Sequence, residues 1–202
     1  MNAVHINNAA LINDKAQCRR RLRKARQSLM PKQRAEATQR INRQLKRWIK
    51  RGSRIGVYWP IGSELRLDEF VLAARQRGAE VFLPYIEPNS LRLWFTPYQP
   101  QAKAERMRGR KSLRIPPFAG LKIRAHDLIV LLMPLVGIDQ QGYRLGQGGG
   151  YYDVTLAATW HRLQPRKIAV GFGCQMCESL AHEAHDIRAD VFVSEHGVWR
   201  FR

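Results

Sequence analysis

Residues 128–138, LIVLLMPLVGI, form a continuous apolar run that is followed closely by RLGQGGGYYD at 144–153. A short apolar run bounded by turn residues suits a strand buried on both faces, and such strands belong to parallel sheets covered by helices on either side. The run is shorter than the roughly 18 apolar residues that a membrane span needs, and Pro134 and Gly137 interrupt it.

The flanking sequence alternates in the same sense. RIGVYWP (54–60), AEVFLP (79–84), LRLWFTPY (91–98), KIAVGF (167–172) and DVFVSE (190–195) read as strands, while 67–78 and 151–163 read as helices. Before them, Asp14 is placed to cap a first helix on which Leu22, Ala25 and Leu29 share a face. Pro31 opens a second helix with Ile41, Leu45, Trp48 and Ile49 at helical spacing. The expected fold is a single α/β domain over 14–202, with a mostly parallel central sheet, helices on both faces and two basic N-terminal helices in front. Residues 1–13 read as a flexible tail, and 99–126, rich in Pro, Gly and basic residues, as an irregular excursion.

Charge is the unusual quantity, since 35 Lys+Arg against 16 Asp+Glu leave +19. Between Lys15 and Arg54 there are 16 Lys or Arg and one acid, Glu36. An anionic partner follows, either a charged small molecule or the phosphates of a nucleic acid bound weakly and without sequence preference. Three cysteines make no disulfide framework, and the N-terminal residues lack a signal peptide's basic start, so a cytoplasmic location is expected. Cys174, Cys177, His182 and His185 have metal-ligand chemistry, but their interval is short for a zinc finger.

In parallel α/β sheets, ligands bind at the carboxyl ends of strands, where a loop feeding a helix offers unpaired N–H groups to anions. Gly146, Gly148, Gly149 and Gly150 let the backbone approach a phosphate without a Cβ in the way. Arg144 adds a fork of donors, and Asp153 is placed either to hold Mg2+ or to cap the following helix. Neither the Walker motif nor G-x-G-x-x-G is present, so the pattern specifies an anion-binding turn and leaves the anion open.

The wider pattern is more specific. PLVGIDQQGYRLGQGGGYYD, the Lys15 and Arg19 pair with SLMPKQR behind it, YWPIGSELRLD and HDIRADVFVSE together resemble the 5-formyltetrahydrofolate cyclo-ligase (5,10-methenyltetrahydrofolate synthetase) family over roughly residues 15 to 196. The resemblance implies a Rossmann-like, NagB/RpiA/CoA-transferase-like fold, and closure of 5-formyltetrahydrofolate to 5,10-methenyltetrahydrofolate with ATP and Mg2+. It implies that Lys15, Arg19, Arg144, Leu145, Gly146, Gln147, Gly148, Gly149, Gly150, Tyr151 and Tyr152 hold ATP, with Lys15 and Arg144 as catalytic cations. Trp59 and Glu64 would contact the folate, the 147–151 loop would lie between the two substrates, and Asp153 and Asp190 would hold Mg2+. No membrane and no obligate protein partner is implied. The chain departs from the family at LRIPPFAG (113–120), where many members carry Glu-Pro or Gln-Pro, and at Gly149, where some carry Lys. A relative that binds ATP but has altered or lost the activity is the alternative reading.

Overall fold

The protein is represented by a computed structural model that describes residues 8–99, 105–106, 114–115, 118, 120–159, 161–183 and 186–201. In chain order its helices are α1 (Asn8–Gln27), α2 (Pro31–Leu45), α3 (Asp68–Gln76) and α4 (Tyr151–Ala157). The strands are β1 (Arg54–Gly56), β2 (Glu80–Tyr85), β3 (Trp94–Pro97), β4 (Glu105–Arg106), β5 (Arg114–Ile115), β6 (Val130–Pro134), β7 (Gly137–Asp139), β8 (Arg144–Leu145), β9 (Arg166–Val170), β10 (Met176–Cys177), β11 (Val191–Ser194) and β12 (Gly197–Arg200).

Seven strands form one sheet in the order β12-β11-β9-β6-β1-β2-β3. The five inner strands are parallel and both edge strands run antiparallel to their neighbours. Side chains alternate between two cores, as a period of two residues requires. Ile55, Val81, Val130, Leu132, Ile168, Val191 and Val193 pack under α2 and α3, whereas Phe82, Leu131, Met133, Ala169 and Phe192 pack on the other face with Leu156 of α4. Helices therefore cover both faces. Among the described residues no helix is long and apolar enough to cross a membrane.

Several boundaries differ from the sequence reading. The apolar run is two strands: β6 ends at Pro134, and β7 turns into a second sheet, β10-β7-β8. Gln175 holds that corner, its Nε2 donating to the carbonyls of Leu135 at 2.8 Å and Val136 at 3.0 Å. The first helix begins at Asn8, so Asp14 lies inside it and caps nothing, and half of the expected tail is helical. Pro31 does open α2, but Trp48 sits on a separate 3-10 turn, Lys46–Trp48. α4 stops at Ala157, where the Thr159 hydroxyl donates to the carbonyl of Leu156 instead of continuing the helix. Within the expected excursion, β4 and β5 pair as a short antiparallel ladder. Pro116 and Pro117, on which the family departure was read, lie outside the described residues.

Candidate active site

The strand order creates one special place. From β1 the chain moves to β2 and β3 on one side, and later from β6 to β9 and β11 on the other. β1 and β6 are hydrogen-bonded neighbours at this reversal, the position at which parallel α/β sheets hold a crevice between diverging loops. The loops that follow them carry Trp59 and Glu64, and Arg144 to Asp153.

The β1 loop is rigid. The Tyr58 hydroxyl donates to the Leu65 carbonyl at 2.9 Å, and the N–H of Ile61 donates to Glu64 Oε2 at 2.9 Å. Glu64 is 7% exposed, and its Oε1 accepts from Gln147 Nε2 at 2.8 Å, which joins this loop to the glycine loop. Trp59, half-buried, stands edge-on to Tyr98 with ring centroids 6.0 Å apart.

From β6 the chain runs through β7, turns, and returns on β8. Asp139, fully buried, holds the turn: its Oδ1 accepts from the N–H groups of Gln141 and Tyr143, and its Oδ2 from that of Leu180. The return delivers Arg144 to the end of β6. Its Nη2 pairs with Asp153 Oδ1 at 3.0 Å, its Nη1 points at the Pro134 carbonyl at 3.4 Å, and its guanidinium lies 5.2 Å from the Tyr152 ring centroid. Gly148 and Gly150 occupy left-handed backbone, with φ of +103° and +69°, a conformation that L side chains rarely adopt. Gly150 starts α4 without a capping side chain, so Asp153 faces Arg144 and does not serve as a cap.

Two side-chain atoms among the described residues are buried without a hydrogen-bond partner, and both are here: Arg144 Nε and the Tyr152 hydroxyl. Burial, opposed by the charge of Arg144, raises the Tyr152 pKa, so its hydroxyl keeps its proton and remains a donor. Buried polar groups in native proteins are nearly always satisfied, so two such orphans beside the glycine loop set this part of the protein apart.

The N-terminal helix closes the site. α1 docks through Leu22, which packs with Val136, Leu145 and Leu180. Residues spaced three and four apart on the same side of a helix form a stripe. Here that stripe is cationic. Lys15 Nζ bridges Glu183 and Asp186, each at 3.0 Å, and Arg19 Nε donates to the Gly146 carbonyl at 2.9 Å. Arg23 Nη2 donates to Gln147 Oε1 at 2.6 Å. Arg26, only 4% exposed, donates Nε to Ser63 Oγ at 3.0 Å and points Nη1 at the Leu135 carbonyl at 3.3 Å. Arg34 of α2 donates to the carbonyls of Ser63 and Arg26.

Burial works against the Lys15 ammonium, but the hydrogen bonds and charges of Asp186 and Glu183 outweigh it and raise its pKa. Arg26 moves the other way: burial lowers its pKa, with the charge of Glu64 partly compensating.

Arg19, Glu64, Gln147, Arg144, Tyr152 and Asp153 thus lie on and around the glycine loop, with Lys15 one helical turn from Arg19 and held by Glu183 and Asp186. Asp190 does not. It precedes β11, at the amino end of the parallel strands, where its Oδ2 accepts from the Lys167 N–H at 2.7 Å and its Oδ1 pairs with Lys167 Nζ at 2.9 Å. The register places Lys167 beside Leu131, three residues before Pro134, so Asp190 lies about 10 Å along the strands from Arg144 and Asp153. Asp153 and Asp190 hold separate ion pairs, Asp153 with Arg144 and Asp190 with Lys167.

Arg23, Arg26 and Arg34 escaped the sequence reading because they sat within a run of cations of one type. The i, i+4 spacing of Lys15, Arg19 and Arg23 was the available signal. Cys174 packs against the α2 side of the sheet and Cys177 beside Cys18 near α1, while His182 stacks on Tyr143 at 3.7 Å. His185 lies outside the described residues, and among those described no group of three metal-binding side chains occurs.

The chain is similar to known proteins over most of its length. The model of the 5-formyltetrahydrofolate cyclo-ligase family matches residues 11–195. The 5-formyltetrahydrofolate cyclo-ligase of Escherichia coli K12 is 29% identical over 189 residues, covering 89% of this chain and 100% of the relative. The structure of a 5,10-methenyltetrahydrofolate synthetase from Aquifex aeolicus superposes with a TM-score of 0.76 at 26% identity, covering 93% of each chain. A second, from Mycoplasma pneumoniae, shares the fold with a TM-score of 0.71 at 22% identity, covering 90% of this chain and 99% of the other.

Proposed function

Since the chain belongs to the 5-formyltetrahydrofolate cyclo-ligase family, we propose that it closes 5-formyltetrahydrofolate to 5,10-methenyltetrahydrofolate at the expense of ATP, with Mg2+ as the metal. The observation that carries this reading is the pair of orphaned donors, Arg144 Nε and the Tyr152 hydroxyl, at the crevice between β1 and β6.

A formyl amide is a poor electrophile. Its oxygen attacks the γ-phosphorus, the bond to ADP breaks, and the oxygen becomes part of a good leaving group. The neighbouring folate nitrogen then bonds to the formyl carbon and loses its proton, and the C–O bond breaks to release phosphate. Neither step needs a covalent bond to the protein, which is consistent with thiols that are not activated: burial pushes Cys177 up to about 11 and raises Cys174 as well. Catalysis is then positioning and charge stabilisation.

In this reading Arg144, aimed by Asp153 and backed by Tyr152, holds the transferring phosphoryl group, and the Gly146 to Gly150 backbone lies against the ATP phosphates. Arg19 and Lys15 hold ATP from the α1 side, Lys15 exchanging carboxylate partners for phosphate. Glu64, fixed by Ile61 and Gln147, accepts hydrogen bonds from the folate heterocycle beside Trp59. Asp153 is a hard oxygen donor suited to Mg2+, which neutralises phosphate charge when bound.

The route of the oxygen tests the mechanism. With 5-formyltetrahydrofolate labelled at the formyl oxygen with oxygen-18, the label is expected in inorganic phosphate, one phosphate per methenyl product. Unlabelled phosphate would contradict phosphorylation of the formyl oxygen. ATP binding without turnover would identify a relative that has lost the activity.

A further inference from the structure

The crevice accounts for Lys15, Arg19, Arg23, Arg26 and Arg34, but a second group of cations faces elsewhere. Residues 40–54 hold seven Lys or Arg and no acid, and residues 70–79 hold two Arg and no acid. The fold joins the two segments. Arg77 Nη1 donates to the Lys46 carbonyl at 3.0 Å, the Gly52 N–H donates to the Gly78 carbonyl at 2.8 Å, and the Arg51 side chain lies against Gly78.

The outcome is a belt formed by Arg43, Arg47, Lys50, Arg51, Arg75 and Arg77, all exposed, running from the outer side of α2 to the amino ends of β1 and β2. Among the described residues none of these six is paired with a carboxylate; the nearby acid, Glu80, is engaged by Arg54 at 3.6 Å. The belt and the crevice occupy opposite ends of the parallel strands, so the belt does not serve the small-molecule site.

We infer that this belt binds the phosphate backbone of a nucleic-acid duplex without reading its sequence. Five of the six cations are arginines, whose planar fork matches phosphate oxygens. Arg43 lies on α2 and Arg47 on the 3-10 turn that follows it, both exposed on one continuous helical segment. Trp48, the aromatic residue in the belt, is 8% exposed, so bases have no stacking platform and single strands gain nothing beyond charge. An acidic protein or an anionic membrane fits less well, because Leu72 is the one large apolar side chain exposed beside the cations along 40–54 and 68–80.

The test is fluorescence anisotropy of the full chain with a short, mixed-sequence labelled RNA duplex over a series of salt concentrations. Six phosphate contacts give a slope of about −5 in log K against log salt. Charge reversal by R43E, R47E, K50E and R51E together should weaken binding at least a hundredfold at low salt. The milder pair R43Q and R47Q, which leaves the fold least disturbed, should flatten the slope by about 2. R20E with R21E, on the exposed side of α1, should leave the slope and affinity almost unchanged. Nucleotide affinity at the crevice should be equal in all variants, a control that does not depend on turnover. A slope shallower than about −2, equal binding by the four-residue variant, or belt-dependent binding to phosphatidylserine vesicles in preference to the duplex would overturn the inference.

Discussion

Arg144 is the side chain on which most of the site converges, and its removal separates chemistry from folding. Arg144→Ala leaves Asp153 without its cation and, on the proposed function, takes away a donor to phosphate; loss of one such preorganised donor costs about 10²–10³ in turnover. We expect that loss in steady-state rates of methenyl formation, with a circular dichroism spectrum like that of the wild type. Arg26 should behave differently. It is buried among Ser63, the Leu135 carbonyl and the charge of Glu64, so Arg26→Met removes a cation whose partners stay behind. Urea unfolding should show a loss of about 1–3 kcal/mol, and KM for folate should rise more than KM for ATP. Cys177 supplies a pH dependence. Burial raises its pKa from 9.0 to about 11, so between those values the folded protein keeps a proton that the unfolded chain releases. Its contribution to stability is therefore complete below about pH 9 and is lost as pH rises towards 11. Its alkylation by iodoacetamide at pH 8 should be several-fold slower than that of a free thiol, which mass spectrometry of the labelled peptide measures.

At the scale of elements, α1 decides whether the crevice is complete. It is held by Leu22 between Val136, Leu145 and Leu180, so Leu22→Ala should cost about 2–5 kcal/mol and loosen the cationic stripe together. Limited trypsin digestion should then cut α1 faster than in the wild type, and ATP should protect it. Gly150→Ala places a Cβ on a residue at φ +69° and should cost about 1–2 kcal/mol while misdirecting the start of α4. The alternation of strands and helices was legible because both cores are built on clean periods: Val130 and Leu132 face α2, Leu131 and Met133 face α4. The turn after Pro134 was not, because Leu135 and Val136 continue the apolar pattern while Gln175, some forty residues away, bends the chain. The glycine loop, Arg144 and Asp153 were legible from local spacing. The buried role of Arg26 was not, since a run of cations does not reveal which members face inward. The partner of Asp190 was not legible for a related reason: a local motif says what a residue is near in sequence, whereas strand pairing decides that its carboxylate meets Lys167.

For the whole molecule, with its net charge of +19, the fold gathers two groups of cations at opposite ends of the parallel strands. One is gathered by α1 and α2 over the carboxyl ends of the strands, where the chain reverses direction between β1 and β6. The other lies around the opposite end, clear of the site. The division explains how a chain of this charge stays compact, because several of the inward cations are paired with Glu183, Asp186, Asp153 or backbone carbonyls. On the proposed function it also makes the crevice a cationic space for ATP and a folate carboxylate, so KM for both should rise as salt screens the field. The most direct measurement is the near-ultraviolet absorbance of the methenyl product after mixing purified protein with 5-formyltetrahydrofolate, ATP and Mg2+. We expect a rise that requires every component and that falls by at least tenfold in Asp153→Asn. A folded wild-type protein that binds both substrates and generates no methenyl absorbance, or an Asp153→Asn variant as fast as the wild type, would contradict a cyclo-ligase site built on Arg144 and Asp153.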